Sequence, residues 1–583
     1  MKERKAARPL AEEIQRTKKI WERLRRKSHV PVEERKQLVD ELYGIITGKM
    51  RDFVLKHDAV RAVQTAIKYA TTEQRKVIAK ELQGTYAQLA ESRYAKFLIG
   101  KLLAHEDSEI RDLVIPEFYG RVSRLINHPE ASWILDDIYR GAANDQQKAM
   151  LLREWYSPEF AIMEQGDGSE ATSDLRKILE KEPAKRGPIM KQLRDMINRL
   201  VQKKMTGFTM LHDAMFQYYT NVGLESQECS EFVEMIKGDE EGDLLKNMAF
   251  TRSGSHLVCL LLANGSAKDR RQLLKMYKDT FTTMSGDRFG HVVILVAYDV
   301  IDDTKMSSKA IFPDLLGESS EKVAETLMAA SSNPFARATI LYLLDGPTKA
   351  VFQGAHLQED LELLKEVHSI RQKTSKKDAG LRTRELAQAM SPQLLAGVTE
   401  AAATLVHDPF GCQLMTDILI SCEGDKTAAL TAIAATAAGP PNSEIPVDGG
   451  LEPQMHISKT PHGGRMLKTL VQNGKFDKAL GTVKTVDPPL RFSNVLYPII
   501  KPYLVEWAAG PSSFVVLSML EANDFDNVVE VRKSLSKNQE TLEKAAGESA
   551  GPAVSKGKAG KKKDGNSTKI SGNAGSRLIL LAL

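Results

Sequence analysis

Cysteine is scarce: four in 583 residues (Cys229, Cys259, Cys412 and Cys422), none in a C-x-x-C pair. Neither a disulfide framework nor a zinc knuckle is available to such a chain. Glycine and proline, 39 and 23, are too few for a collagen-like or wholly disordered polymer. No apolar run approaches the ~18 residues of a membrane span; the longest, Leu257–Ala263 and Val292–Ala297, stop far short. A basic-then-apolar secretory start is missing too, because residues 1–36 are charged almost throughout. There is no G-x-x-x-x-G-K-[ST] loop and no H-E-x-x-H, and the twelve histidines form no group with cysteine, which excludes a P-loop and leaves zinc without support. The G-x-S-x-G match at Gly547–Gly551 sits in a low-complexity tract, without the strand and helix that a nucleophile elbow needs. Asp299, Asp302 and Asp303 are grouped like metal ligands but read as caps facing water, at a helix beginning near Thr304. These absences lead to the expectation of an intracellular, soluble, mostly helical protein that is not an enzyme and holds no cofactor or metal.

What is present is a particular distribution of charge. Lys and Arg number 81 against 76 Asp and Glu, a net +5. Residues 1–36 alone hold thirteen cations against six Glu, so the rest of the chain is close to neutral. A second basic cluster, Lys556, Lys558, Lys561, Lys562, Lys563 and Lys569, has Asp564 as its single acid. Basic ends on a neutral body suit a phosphate-binding protein.

The sequence also repeats itself every 36 residues. Ile46, Leu82 and Phe118 are in register, as are Gly48, Gly84 and Gly120; Phe53, Leu89 and Leu125; Ala59, Ala95 and Ala131; Val63, Ile99 and Leu135; and Ile67, Leu103 and Tyr139. Within one unit, Glu73–Leu89 and Tyr94–Leu103 carry apolar residues at helical spacing. The unit therefore reads as a pair of helices, with the Ala at a tight approach. One pair cannot bury its own apolar face, so neighbours must stack into an all-α solenoid. The signature of the second helix, a small residue and then a short polar–apolar run, recurs at Gly207, Gly254, Gly290, Ala336, Gly411, Gly463, Ser512 and Gly575. That makes about eleven repeats. The stretches GDGSEATSD and Glu180–Pro188, in the long gap after Ala131, read as linkers. Residues 543–574 are too poor in apolar side chains to fold and read as a disordered insertion in the last repeat. The expected division is a basic helical cap at 1–40, repeats one to three with connecting helices at 41–205, and repeats four to eleven at 206–583.

Runs such as AVRAVQ at Ala59–Gln64 and GSRLIL at Gly575–Leu580 resemble the Pumilio (PUF) repeat. SRYAKFLIGKLL (Ser92–Leu103), SGSHLVCLLLANGSAKDR (Ser253–Arg270), FGHVVILVAYDVIDDT (Phe289–Thr304), HDPFGCQLM (His407–Met415) and TPHGGRMLK (Thr460–Lys468) are similar to the Puf-A branch of that family, which has a divergent carboxy-terminal CPL region. The resemblance implies two stacks meeting at an angle in an L. It also implies a nuclear, nucleolar factor of large-subunit ribosome assembly and rRNA processing. Such a factor binds structured or single-stranded RNA, and DNA, beside pre-ribosomal proteins, with translational repression of messages as a related role. A monomer that does not engage membranes is expected.

In PUF proteins each second helix offers two side chains to a base edge and one between them for stacking. Transferred here, the edge pairs include Val60/Gln64, Lys96/Gly100, Ser132/Asp136, Phe208/His212, Ser255/Cys259, His291/Leu295, Arg337/Leu341, Cys412/Thr416 and Gly464/Lys468. None is a Ser/Glu, Asn/Gln or Cys/Gln pair of the family's code, so sequence-tolerant binding is expected. Phe97 and Trp133 fall on stacking positions but read as core aromatics. The candidate RNA-binding residues are Arg61, Gln64 and Lys68 in the first repeat, Arg93, Lys96 and Lys101 in the second, then His256, Arg465 and Lys468, with the main surface on the first stack. The alternative is a protein–protein adaptor solenoid of importin or HEAT type, whose grooves are usually acidic or lined by Asn and Trp. Lys561–Lys563 read as part of a nuclear address.

Overall fold

The computed structural model describes residues 10–26, 30–56, 59–161, 171–348, 351–352, 355–445, 454–477, 481–547 and 572–583. The chain forms two compact units, Met1–Leu257 and Val258–Leu583, and both are built almost entirely of helices. The all-α expectation holds; among the described residues the helices are accompanied by two short antiparallel ribbons, Glu444–Ile445 with Gln454–Met455 and Gly474–Asp477 with Thr482–Thr485.

In the first unit the repeat consists of three helical pieces, not two. The second repeat runs Thr72–Leu82, Tyr86–Glu91 and Lys96–Leu103. Gly84 breaks what the periodicity presents as one helix. Its φ is +83°, and Gly48 and Gly120 sit alike at +77° and +74°, a left-handed conformation that only glycine adopts freely. The turn leaves backbone amides without partners, and a glutamate from the following unit accepts them. Gly48 and Met50 donate to Glu81 at 2.9 and 2.7 Å, Gly84 and Tyr86 to Glu117 at 2.5 and 3.0 Å, and Gly120 and Val122 to Glu154 at 2.7 and 3.1 Å. Beneath this carboxylate ladder the apolar columns form the core: Ile46, Leu82 and Phe118, then Phe53, Leu89 and Leu125, then Val63, Ile99 and Leu135 are all buried. So are Ala59, Ala95 and Ala131 at the start of the second helices.

Several boundaries move. Val32–Ile46 holds the place of Thr72–Leu82 in the first repeat, so the cap expected through residue 40 reduces, among the described residues, to the helix Ala11–Arg25. The Glu180–Pro188 stretch is no linker. It comprises the end of Leu175–Lys181, a 3₁₀ turn at Pro183–Lys185, and the start of Arg186–Gln202. Pro188 falls in the first turn of the last of these, where its missing N–H breaks no intrahelical bond. Residues 543–547 also fold, as the end of Gln539–Gly547, a helix that buries Leu542. The remainder of that tract up to residue 571, with Lys561–Lys563 and most of the G-x-S-x-G match, lies outside the described residues, as do residues 166–170 of GDGSEATSD.

The third rung of the ladder differs from the first two because Glu154 is buried. Burial, opposed by its two amide donors, pushes its carboxyl up to about 7, and burial likewise raises Asp136 to about 6. A carboxyl raised in the folded state holds its proton while the unfolded chain releases one. The share of stability these carboxyls contribute is therefore full below about pH 4.5 and is lost as pH rises toward 7, against the opposite contribution of buried neutral histidines such as His212. In urea unfolding at pH 5 and pH 8, the native chain is expected to lose roughly 1–3 kcal/mol more stability than Glu154→Gln on going to the higher pH. A variant whose stability runs parallel to the native curve excludes Glu154 as the source.

Candidate nucleic-acid interface

The helix Val60–Tyr69 buries Val60, Ala62, Val63, Ala66 and Ile67. That face fixes the opposite one, where Arg61 and Lys68, two turns apart, are exposed. Lys101 reaches the same side from Lys96–Leu103. Ala11–Arg25 packs through Thr17, Ile20 and Leu24, which brings Trp21 and Arg25 to the rim. These side chains, with Gln64 and Tyr69, enclose an open cleft of 440 Å³. The guanidinium groups of Arg25 and Arg61 lie 5.4 and 5.6 Å from the centre of the Trp21 ring, and the Lys68 ammonium lies 5.5 Å from that of Tyr69. Among the described residues, no carboxylate lines the cleft, and none of Arg25, Arg61, Lys68 and Lys101 forms an ion pair. Four cations with unclaimed donors around aromatic faces are suited to phosphates and stacked bases. Sequence reasoning missed Trp21 and Arg25, because the basic arm gave no sign of which residues the helix turns toward the first repeat.

The other candidates have different situations. Gln64 donates its amide to the Tyr94 carbonyl at 3.0 Å, bracing the next repeat. Lys96 is paired with Glu130 at 2.7 Å with its side chain only 15% exposed, so its charge is already answered. Arg93 is exposed, 5.8 Å from the Tyr94 ring. His256, on Arg252–Asn264, packs against Phe216 with ring centres 4.7 Å apart. In the second unit Arg465 is exposed, its Nε donating to the Pro461 carbonyl at 3.1 Å, and Lys468 lies 5.3 Å from the Phe514 ring. Phe97 and Trp133 are not core residues: they are 53% and 56% exposed. With Arg61 they form one 36-residue column at the surface of three successive second helices.

The base-edge positions mostly point inward. Val60, Ser132, Asp136, Phe208, His212, Ser255, Cys259, His291, Leu295, Leu341 and Cys412 are buried, and several have structural work. Asp136 accepts the Met210 amide at 3.0 Å, at the start of Thr209–Asn221. His212 bridges the Thr251 hydroxyl and the Thr206 carbonyl at 2.9 and 2.8 Å, and burial holds its imidazole down at about 4. In the second unit every residue of Gly290–Val300 is buried, beneath Ala355–Thr374 and Ala379–Leu405. His291 meets Asp360 at 3.1 Å. Asp299 accepts from Tyr342 and His368 at 2.6 and 2.7 Å. Asp302 accepts from Arg382 and the Lys376 amide at 2.7 and 2.9 Å. Of the three acids expected to cap a helix, only Asp303 does so, toward Met306 at 3.0 Å; the other two clamp the long helices in place.

The chain is 34% identical to the Pumilio homology domain family member 6 of Schizosaccharomyces pombe over 93% of its own length and 80% of that protein's. The crystal structure of human Puf-A superposes with a TM-score of 0.69 at 28% identity, covering 91% of this chain and 98% of that one. The chain belongs to the Puf-A branch of the Pumilio family. Residues 332–481 match the CPL (NUC119) domain, which includes the two long helices over Gly290–Val300. A further Puf-A structure, the human protein in complex with DNA, aligns with the same TM-score. In this member of the branch most edge positions belong to the core, whereas the stacking column of the first three repeats is exposed.

Proposed function

We propose that this Pumilio-family chain binds RNA, and DNA by the same contacts, mainly through the phosphate backbone and with little regard to base sequence. The observation that carries this reading is the cleft of the first unit, with four unpaired cations, an aromatic floor and no carboxylate among its described lining residues. The exposed column Arg61, Phe97 and Trp133 supplies faces on which any base stacks. Edge positions sealed in the core have no means of telling one base from another. The reported DNA complex of human Puf-A supports nucleic acid as the ligand class. On the same reading the chain is a monomeric nucleolar factor of large-subunit ribosome assembly. It works beside pre-ribosomal proteins, with repression of some messages as a related role. Lys561–Lys563 contribute to its nuclear address, and alanine at all three leaves a cytoplasmic fraction in imaged cells.

Binding of several unrelated RNAs of equal length, each titrated between 50 and 200 mM salt, tests the main statement. Affinities are expected to agree within about tenfold, with log K falling against log salt at a slope of about −3 for four phosphate contacts on a single strand. One motif held a thousandfold more tightly than its scrambled version contradicts the proposal.

A further inference from the structure

The second unit holds a cleft of 380 Å³ between Pro409–Ser421 and Pro461–Val471, closed on one side by the ribbon strand Gly474–Asp477. All of it falls within the CPL match at 332–481. Two aromatic rings stand open in it, Phe410 at 45% and Phe476 at 61% exposure, and both are held in position. The Arg337 guanidinium lies 4.4 Å from the centre of the Phe410 ring and is itself fixed by donation to the Ser331 carbonyl at 2.8 Å. The residue before Phe476, Lys475, is tied to Asp417 at 2.7 Å and Asp345 at 3.0 Å, which pins the strand carrying the ring. Among the described residues, Asp417 is the only acid of the lining, and it is answered by Lys475. Arg465 lines the cleft with most of its donors open. The Gln413 amide, also in the lining, makes no hydrogen bond among the described residues.

We propose that this cleft receives one nucleobase of a bound RNA strand, stacked on Phe410 and Phe476, with Gln413 at its edge and Arg465 on the adjoining phosphate. Anchored aromatic faces supply stacking energy without ordering cost. An amide that both donates and accepts suits a base edge, and an unpaired guanidinium suits a phosphate. An aliphatic side chain of a protein partner would use the rings and leave both polar groups unsatisfied, which is why a base is the better occupant. Gln413 and Arg465 stand at the stacking positions of their repeats, next to the edge residues Cys412 and Gly464, but the rings do not: Phe410 lies in the first turn of Pro409–Ser421 and Phe476 comes from an inserted ribbon. The proposal rests on the RNA-binding reading above.

The test is photocrosslinking of the full chain to a 20-nucleotide RNA containing 4-thiouridine, with sites mapped by mass spectrometry, beside the affinity of the double variant Phe410→Leu, Phe476→Ala. Crosslinks are expected in the peptides carrying residues 409–417 and 462–476, with about tenfold weaker binding by the variant at unchanged melting temperature. Should the double variant fold poorly, Gln413→Ala and Arg465→Gln are to show the same loss singly, each at least twofold. Native affinity in these variants and no crosslink in either peptide, while loss of Arg61, Lys68 and Lys101 weakens binding, overturns the base assignment and leaves the main reading standing; the cleft is then free for an apolar peptide. Crosslinks in the cleft together with normal binding after loss of those three cations support the base assignment and overturn the placement of the main site in the first unit.

Discussion

Replacing Arg61, Lys68 and Lys101 together by alanine is expected to weaken binding to every RNA by about a hundredfold near 0.1 M salt, and to reduce the salt slope by about two. The estimate follows from about 1 kcal/mol per phosphate contact, a magnitude that applies because none of the three has its charge neutralised within the protein. Their removal orphans no carboxylate, so the fold is expected to survive, with circular dichroism and melting temperature unchanged. Lys96 is unsuited to the experiment: reversing its charge would set a glutamate against Glu130, 2.7 Å from the present ammonium, and a loss of binding would then report damage to the stack. Alanine at Arg176, Lys181 and Lys191, three exposed cations of the same unit, supplies the control and is expected to change affinity less than threefold. Equal losses in the two triple variants would mean that overall charge, and not the cleft, sets the affinity.

The second large effect concerns stability. Arg382 is almost completely buried and donates to Asp302 at 2.7 Å, to the Lys377 carbonyl at 3.0 Å and to Ser375. Part-burial alone would raise the Asp302 carboxyl, but the hydrogen bonds from Ser375 and Arg382 bring it down to about 2. Arg382→Met keeps the volume and removes the charge. It is expected to cost about 3 kcal/mol, because the Lys377 carbonyl then loses the Arg382 donor and Asp302 keeps only Ser375 and the Lys376 amide, without the opposite charge. Asp302→Asn is expected to cost less, and the double variant less than the sum of the two, since the residues act as a pair. Chemical unfolding gives the cost. Hydrogen exchange gives its location: faster exchange is expected in Gly290–Val300, over which this stitch holds the two long helices. Strictly additive costs would show that Arg382 acts alone.

The architecture was legible because solenoid packing imposes one rule on every repeat. A buried column must be apolar in each unit, so Ile46, Leu82 and Phe118 announce themselves at a spacing of 36. The carboxylate ladder obeys the same geometry, but its third rung is 37 residues after the second, and a glutamate in a charged helix carries no mark of what it holds. Gly84 was visible as a column, while its meaning as a break required the backbone angle. Phe97 and Trp133 were misplaced because an aromatic in a helix is ordinarily core; here the position after the half-buried Lys96 or the buried Ser132 faces outward. The cationic cleft was half legible. Arg61, Lys68 and Lys101 followed from placing the second helices of the first two repeats, whereas Trp21 and Arg25 depend on how Ala11–Arg25 docks, and Lys96 was lost to an ion pair that a single repeat cannot reveal. The long helices over Gly290–Val300 were illegible, since nothing in a 36-residue pattern says which face an insert will cover.

The most direct test of the central claim is hydrogen exchange of the full chain with and without a saturating 30-nucleotide RNA. Protection is expected in Ala11–Arg25, Val60–Tyr69 and Lys96–Leu103, and none is expected in Gly290–Val300. Protection of Gly290–Val300, with Val60–Tyr69 exchanging as in the free protein, would contradict the account.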